Sequence, residues 1–210
     1  MRSIFCNHRT FKVVLTVACF LASVSAWCQV APGSGDASYG FGYDHVGTGP
    51  NDEFASKSGN SLTTGGNGGY NINRYIEAGG EFSFFNDPQP SVNGISYALH
   101  IENYGGLVRF NLAPESKVVP YGVFAIGGSH ATALARQGSA SASISENGYY
   151  FGGGGGASIY LGPNWGVRAE FRDNWDHFTY QSSPNSTSAL AMTGGLFFQF
   201  GGSAMMLAKK

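Results

Sequence analysis

The strongest constraint in this sequence is a set of short segments in which apolar and polar residues alternate with a period of two. Eight such segments, each of about ten residues, occur between Ser38 and Phe200. Successive side chains of a β-strand point to opposite faces, so seven of these segments predict a strand with one apolar and one polar face. The fifth segment, residues 119–129, is apolar on both faces, and alternation does not orient it. No stretch after Val30 has helical spacing over three turns, and the 32 glycines disfavour helix.

The lengths of the connections between these segments predict a topology. The eight segments are residues 38–45, 62–73, 75–85, 100–112, 119–129, 149–161, 165–173 and 190–200. Short links lie around Arg74, 113–117 and 162–164, and long polar links lie at 46–61, 86–99, 130–148 and 174–189. Short turns on one side and long loops on the other are typical of outer-membrane barrels. We therefore predict an all-β fold, an eight-stranded antiparallel up-and-down transmembrane β-barrel with both chain ends on the periplasmic side.

The first 26 residues have the layout of a secretory signal peptide. Arg2, Arg9 and Lys12 precede an apolar run at 13–22, and small residues lead up to Ala26. The run is about half of the roughly 20 residues that a membrane helix requires. The predicted organisation is a signal peptide (1–26), a periplasmic N-terminal segment (27–36), the barrel (37–200) and a C-terminal tail (201–210).

Composition indicates which face of the barrel meets lipid. A soluble barrel would cover its outside with charge, at roughly a quarter to a third of surface residues. Charged residues make up only 12% of this chain, and the polar faces are mainly Gly, Ser, Thr and Asn. We therefore predict that the apolar face points outward into lipid. A soluble secreted barrel, with its apolar face inward, is another interpretation of the same alternation.

The few charged residues of the polar faces are nearly balanced in sign, which suits a narrow lumen. An eight-stranded barrel is just wide enough for side chains to fill it, whereas an arginine facing lipid costs about 2–4 kcal/mol at the midplane. The predicted lumen charge network consists of Asp44, Glu77, Glu81, Arg109, Arg168, Glu170 and Arg172.

Aromatic residues recur toward the predicted strand ends, where a membrane-interface girdle would lie. The predicted interface aromatics are Tyr43, Tyr75, Phe84, Tyr104, Phe110, Trp165, Phe171 and Phe200. Strands attract aromatic residues in any case, so the pattern also has a purely local explanation.

Three stretches carry a resemblance to a known group of proteins: 69–82 (GYNINRYIEAGGEF), 119–128 (VPYGVFAIGG) and 162–172 (GPNWGVRAEFR). With them the chain resembles the bacterial outer-membrane β-barrel superfamily, which includes the OmpA-type transmembrane domain and the opacity-type surface antigens. The resemblance implies a Gram-negative outer-membrane location. It also implies a terminal aromatic signal for the barrel-insertion machinery. Phe198 and Phe200 fit that signal, but ten further residues follow them.

Several classes of chemistry receive little support from the residues. Without its three N-terminal basic residues the chain has nine Lys and Arg against 13 acidic residues, which argues against nucleic-acid binding. Only Cys28 follows the signal peptide, so no metal-type cysteine spacing exists. The run 152–156 lacks the Lys-Ser/Thr of a phosphate loop and is best explained as strand glycine. We expect no cofactor and no metal.

Two local groupings leave other possibilities open. Ser129 and His130, with Glu102 or Glu146, suggest a lipid-modifying hydrolase, although no nucleophile motif accompanies them. The histidines near the outer strand ends suggest a weak metal or pH-sensing cluster, or simply solvated side chains. They are His45, His100, His130 and His177.

The favoured function is a non-enzymatic surface protein: a barrel with a side-chain-filled lumen that presents four loops outside the cell. The expected partners are outer-membrane lipid, lipopolysaccharide and the insertion machinery, and the expected state is a monomer. The alternatives are a narrow channel for small or hydrophobic solutes, and the lipid-modifying hydrolase.

Overall fold

The computed structural model describes residues 30–48, 59–92, 94–180 and 183–201. The predicted signal peptide and residues 202–210 of the predicted tail lie outside the described residues. The strands are β1 (Ser34–Thr48), β2 (Gly59–Asn71), β3 (Ile76–Val92), β4 (Ile95–Asn111), β5 (Val118–Gln137), β6 (Ala140–Tyr160), β7 (Trp165–Tyr180) and β8 (Ser183–Gly201). No helix in the described part of the chain is long and apolar enough to cross a membrane.

The eight strands form one closed antiparallel barrel. Each strand pairs with the next in sequence, and β1 pairs with β8 along most of its length to close the sheet. Closure leaves no unpaired edge in the body of the barrel, which a lipid-facing sheet requires because lipid cannot satisfy peptide groups. The predicted fold class is confirmed.

The two faces of the barrel wall follow the alternation in the sequence. In β7, Arg168 is 8% exposed and lies inside, whereas Phe171 is 49% exposed and lies outside. In β1, Phe41 is exposed on the outside and Asp44 is fully buried. The apolar face therefore points outward, as the sequence predicts.

The fifth strand is apolar on both faces, so alternation alone cannot orient it. The structure turns Val119, Tyr121 and Val123 inward and exposes Phe124 and Ile126 on the outer wall. The phenolic oxygen of Tyr121 finds its hydrogen-bond partner in the lumen, described below.

The connections agree with the prediction on one side of the barrel and differ on the other. The three short turns lie at 72–75, 112–117 and 161–164. Three of the four predicted long loops, 86–99, 130–148 and 174–189, are mostly strand. The β3–β4 and β5–β6 hairpins turn at Gly94 and Gly138, whose φ angles of 78° and 57° favour glycine. These segments were predicted as loops because they lack apolar alternation, but backbone pairing in a tight hairpin does not require it.

Neighbouring glycines in β4 differ in how closely the next strand approaches. A Cβ on inward-facing Gly105 would lie 2.3 Å from the Ile126 carbonyl oxygen. A Cβ on outward-facing Gly106 would meet nothing nearer than the Gly79 carbonyl oxygen at 3.8 Å. The barrel wall therefore requires glycine at position 105, whereas position 106 has room for a side chain.

We predict that Gly105→Ala lowers the free energy of unfolding by about 1–3 kcal/mol, because the backbone must move to admit the methyl group. The matched control Gly106→Ala is expected to stay within about 0.5 kcal/mol of the unchanged protein. Urea unfolding in lipid vesicles, followed by tryptophan fluorescence, measures both. Equal effects of the two substitutions would contradict the inferred approach of β4 and β5.

Candidate functional site

The lumen contains a lower layer of two arginine–carboxylate pairs. Arg109 donates from Nη1 to Glu77 Oε1 at 2.5 Å. Arg168 donates from both terminal nitrogens to the two oxygens of Asp36, at 2.9 and 3.0 Å, and from Nε to Ser158 Oγ at 3.0 Å. All five residues are buried. Because a buried charge is costly unless it is paired, this pairing is what allows arginine inside the barrel.

The two lower pairs share partners. Asn67 Oδ1 accepts from Arg109 Nη2 and from Arg168 Nη1, each at 3.3 Å. Arg109 Nη1 also lies 3.9 Å from Asp36 Oδ1. The guanidinium carbons of both arginines lie over the ring of Tyr121, at 4.8 and 5.8 Å from its centroid. Seven strands, β1 to β7, thus contribute to one connected group.

A second layer lies around Arg172. Its Nη1 donates to both oxygens of Glu81 at 2.7 Å, and its Nη2 lies 3.0 Å from Glu170 Oε1. Tyr150 donates its hydroxyl to Glu81 at 2.9 Å, and Tyr121 donates to Glu170 at 3.0 Å. Tyr121 therefore connects the two layers. Its ring stacks against the two arginines of the lower layer, and its hydroxyl donates to Glu170 of the second layer.

The end of the lumen nearest the three short turns contains an apolar cluster of Val30, Val119, Tyr160 and Phe197. The rings of Tyr160 and Phe197 meet edge to face, with centroids 4.8 Å apart. Tyr160 donates its hydroxyl to Gln199 Oε1 at 2.7 Å. This end of the lumen is thus filled by packed side chains.

A cavity of about 60 Å³ lies beside the two ion-pair layers. It is lined in part by Asn67, Glu81, Arg168, Arg172 and Asn174. That volume holds a few water molecules.

The structure brings most of the predicted lumen charges together. Glu77, Glu81, Arg109, Arg168, Glu170 and Arg172 all take part in the ion pairs above. Asp44 also points inward and is fully buried, eight residues further along β1 than Asp36.

Sequence reasoning missed Asp36, Tyr121 and Tyr150. The sequence assigns Asp36 to the N-terminal segment because the alternation begins only at Ser38, whereas β1 begins at Ser34. Asp36 and Asp44 are separated by an even number of residues, so they lie on the same face of β1, and this spacing could have identified Asp36 as a lumen residue. The two tyrosines lie in stretches where apolar residues occupy both faces, so no pattern distinguished their orientation.

All eight predicted interface aromatics point outward and are exposed. Phe84, Tyr104 and Phe171 lie in the interior of their strands rather than at the ends, because β3, β4 and β7 continue beyond the predicted bounds. Their place at a membrane interface stays a prediction.

The hydrolase arrangement considered from the sequence is not formed. Ser129 is fully buried in the lumen and donates its hydroxyl to Asp176 Oδ1 at 2.9 Å. His130, the next residue in the strand, lies on the outer wall with Nδ1 2.7 Å from Asn147 Oδ1. Adjacent strand residues face opposite sides, so this serine and this histidine cannot act on one substrate. Among the described residues no three His, Cys, Asp or Glu side chains are grouped to hold a metal ion.

A family model described as "Outer membrane protein beta-barrel domain" matches residues 14–197, most of the chain. The chain belongs to this family. The protein is therefore a bacterial outer-membrane protein, and the soluble barrel considered above is set aside. No curated protein matches the chain significantly.

Solved outer-membrane barrels share the fold at low sequence identity. Neisserial surface protein A is 15% identical, with a TM-score of 0.59 over 82% of this chain and 100% of that one. Ail, the attachment invasion locus protein of Yersinia pestis, is 16% identical, with a TM-score of 0.52 over 80% of this chain and 99% of that one. OprG from Pseudomonas aeruginosa is 13% identical, with a TM-score of 0.50 over 82% of this chain and 98% of that one.

We predict that Glu77→Gln destabilises the barrel by about 3–5 kcal/mol, because it leaves the Arg109 guanidinium buried without its carboxylate. The control is Glu115→Gln, which breaks the exposed pair between Arg74 and Glu115, in two different short turns of the barrel. That change is expected to cost no more than about 1 kcal/mol.

The free energy of unfolding in vesicles measures both changes. In the combined variant Glu77→Leu with Arg109→Met, removing both charges is expected to restore most of the loss. A combined variant as unstable as Glu77→Gln alone would contradict the role given to the ion pair.

Proposed function

We propose that the protein is a non-conducting barrel that anchors a rigid β-sheet outside the cell, and that this sheet is its binding surface. The observation that carries the proposal is the continuation of β3, β4, β5 and β6 beyond the closed part of the barrel, where β6 no longer pairs with β7. The lumenal side chains support it, since the apolar cluster near the short turns and the two ion-pair layers obstruct passage at successive levels.

The extension is a four-stranded sheet. Register pairs run up to Val92 with Ile95 and up to Gln137 with Ala140. Between these hairpins, β4 and β5 remain paired up to Ser96 and Arg136. The stretch from Ser129 to Gln137 alone spans about 26 Å along the strand, at about 3.3 Å per residue.

One edge of this sheet is open in the described part of the chain. β7 pairs with β6 only from Gly148 onward, so residues 140–147 pair with β5 alone. An open edge offers peptide N–H and C=O groups to an added strand. Ser141, Ser143 and Ser145 are all exposed along it. The proposed ligand is accordingly an extended segment of a protein partner.

A sulfated sugar is a less suitable ligand for this sheet. Ail, which shares the fold, has been solved with the heparin analogue sucrose octasulfate. In the described part of the extended sheet the only arginine or lysine is Arg136, which is little charge for a polyanion at neutral pH.

We predict that the folded protein produces no stable unitary conductance in planar lipid bilayers, because the lumen is filled. Insertion is checked by the different migration of boiled and unboiled samples in a denaturing gel. Reproducible unitary steps that depend on folded protein would favour the narrow-channel alternative instead.

We also predict that a short epitope inserted between Gly138 and Ser139 binds antibody on intact cells, because that hairpin tip is exposed and open around Gly138. The matched control is the same epitope inserted at Pro163, in a turn at the opposite end. It should bind only after the outer membrane is permeabilised. The reverse pattern would place the extended sheet in the periplasm.

A further inference from the structure

A third polar layer lies in the lumen beyond Arg172, on the side away from the short turns. It consists of Asn103 of β4, Ser129 of β5 and Asp176 of β7, which are 2%, 0% and 0% exposed. Ser129 donates its hydroxyl to Asp176 Oδ1 at 2.9 Å. Asn103 lies opposite Ser129 in the register of β4 and β5. Side chains from three strands thus converge on one carboxylate.

Apolar side chains cover this layer on its far side. The next inward residues of the three strands are Ile101, Ala131 and Phe178, and they form part of one apolar cluster or pack against it. The layer is therefore enclosed between this cluster and the ion pairs of Arg172. Polar atoms in an enclosed layer need partners within it, because bulk water does not reach them.

Several polar atoms of this layer have no hydrogen-bond partner among the residues that the structure describes. They are Asp176 Oδ2 and both amide atoms of Asn103. The Asn103 amide is close enough to the Asp176 carboxylate to interact with it, but without the geometry of a hydrogen bond. Asn174, the inward residue two before Asp176, also has an Oδ1 without a partner. Buried polar atoms are rarely left in this condition, so the arrangement indicates that the layer binds something.

The charge at this end of the lumen is negative. Arg172 pairs with both Glu81 and Glu170, so its layer already has two carboxylates for one guanidinium. Asp176 adds a third, and in the described part of the chain it forms no ion pair with an arginine or lysine. The neighbouring His177 faces the outer wall. One guanidinium against three ionised carboxylates leaves an excess of two negative charges, which a divalent cation would balance.

The ligand atoms that this layer offers are all oxygens: the Asp176 carboxylate, the Asn103 amide carbonyl and the Ser129 hydroxyl. Carboxylate and amide oxygens are typical ligands of Ca²⁺, which takes about six to eight oxygens in a flexible geometry and includes water among them. Mg²⁺ requires near-octahedral geometry and gives up its own water reluctantly, so an enclosed layer suits it less well. The cavity of about 60 Å³ reaches Asn174 and has room for water nearby.

We propose that Asp176, Asn103 and Ser129 form a binding site for a calcium ion in the lumen. The ion joins β7 to β4 and β5. The site lies two residues before Phe178, whose pair with Gly148 is the one between β6 and β7 that is farthest from the short turns. Bound calcium therefore braces the end of the closed barrel, at the base of the extended sheet. The site does not depend on the binding function proposed for that sheet.

The test measures calcium binding by equilibrium dialysis with radioactive calcium, in a zwitterionic detergent that has no net charge to attract the ion. Because the site is enclosed, the protein is refolded from urea at each calcium concentration, after a chelator has removed metal ions. We expect about one ion per chain with a dissociation constant of roughly 10⁻⁴–10⁻³ M, since only one carboxylate is a ligand. Magnesium should bind at least about tenfold more weakly.

Two substitutions and a matched control locate the ion. Asp176→Asn keeps the shape of the side chain but removes its charge, and it should weaken calcium binding more than about tenfold. Asn103→Asp adds a second carboxylate and should strengthen binding about tenfold. The control Asp173→Asn changes an acid of the same strand that faces outward and accepts from Ser188, and it should leave calcium binding unchanged.

The urea midpoint of unfolding is a second readout, which a purely structural role of Asp176 would not reproduce. Without calcium, Asp176→Asn should raise the midpoint, because it removes a buried charge that lacks a cationic partner. Calcium at about 10 mM should raise the midpoint of the unchanged protein but not that of the variant. Asn103→Asp keeps the proposal testable if Asp176→Asn does not fold.

Three outcomes would overturn the proposal. The first is an unchanged protein that binds no calcium in this range, in which case the layer holds water or a proton instead. The second is calcium binding that neither Asp176→Asn nor Asn103→Asp alters, which would place the ion elsewhere. Equal binding of magnesium would overturn the choice of calcium. These readouts are independent of conductance and of epitope exposure, so a failure here is distinguishable from a failure of the proposed function.

Discussion

The burial of three arginines in a narrow barrel is the constraint on which the rest of the structure depends. Each guanidinium needs a carboxylate within the lumen. For the two arginines of β7 the partner comes from a strand that is not a neighbour: Arg168 binds Asp36 of β1, and Arg172 binds Glu81 of β3. Arg109 of β4 instead binds Glu77, which lies opposite it on the adjacent strand β3. A register slip of one residue would move these charged side chains to the outer face of the barrel, where they would meet lipid. The ion pairs therefore define the strand register as well as filling the interior.

The same constraint accounts for the glycine-rich face opposite these side chains. A Cβ at Gly156 would lie 2.6 Å from the Tyr121 hydroxyl, and one at Gly152 would lie 2.2 Å from Asn174 Oδ1. Both glycines belong to β6, in the run 152–156, and their lack of a side chain makes room for the large lumenal groups. The run thus has a packing function in the barrel, which agrees with its interpretation as strand glycine.

Sequence reasoning reached the fold because alternation of period two gives both the strand and its orientation. Strands with a sharp pattern, such as β7, were oriented correctly, and Arg168, Glu170 and Arg172 were placed in the lumen. Where both faces are apolar, as around Tyr121, orientation depends on long-range partners that no local pattern encodes. The extended hairpins were not predicted for another reason: beyond the closed part of the barrel the strands pair through their backbones alone and carry no apolar alternation.

The tight turn at Gly138 has a consequence for the hairpin that continues beyond the closed part of the barrel. A long loop would lose conformational entropy whenever a partner immobilised it. Residues held in a paired hairpin have lost that freedom already, during folding. A partner that binds the β5–β6 hairpin thus meets a preorganised shape. Recognition would then depend on how well the partner fits the pleat and twist of the hairpin, because the hairpin cannot change its shape as a flexible loop can.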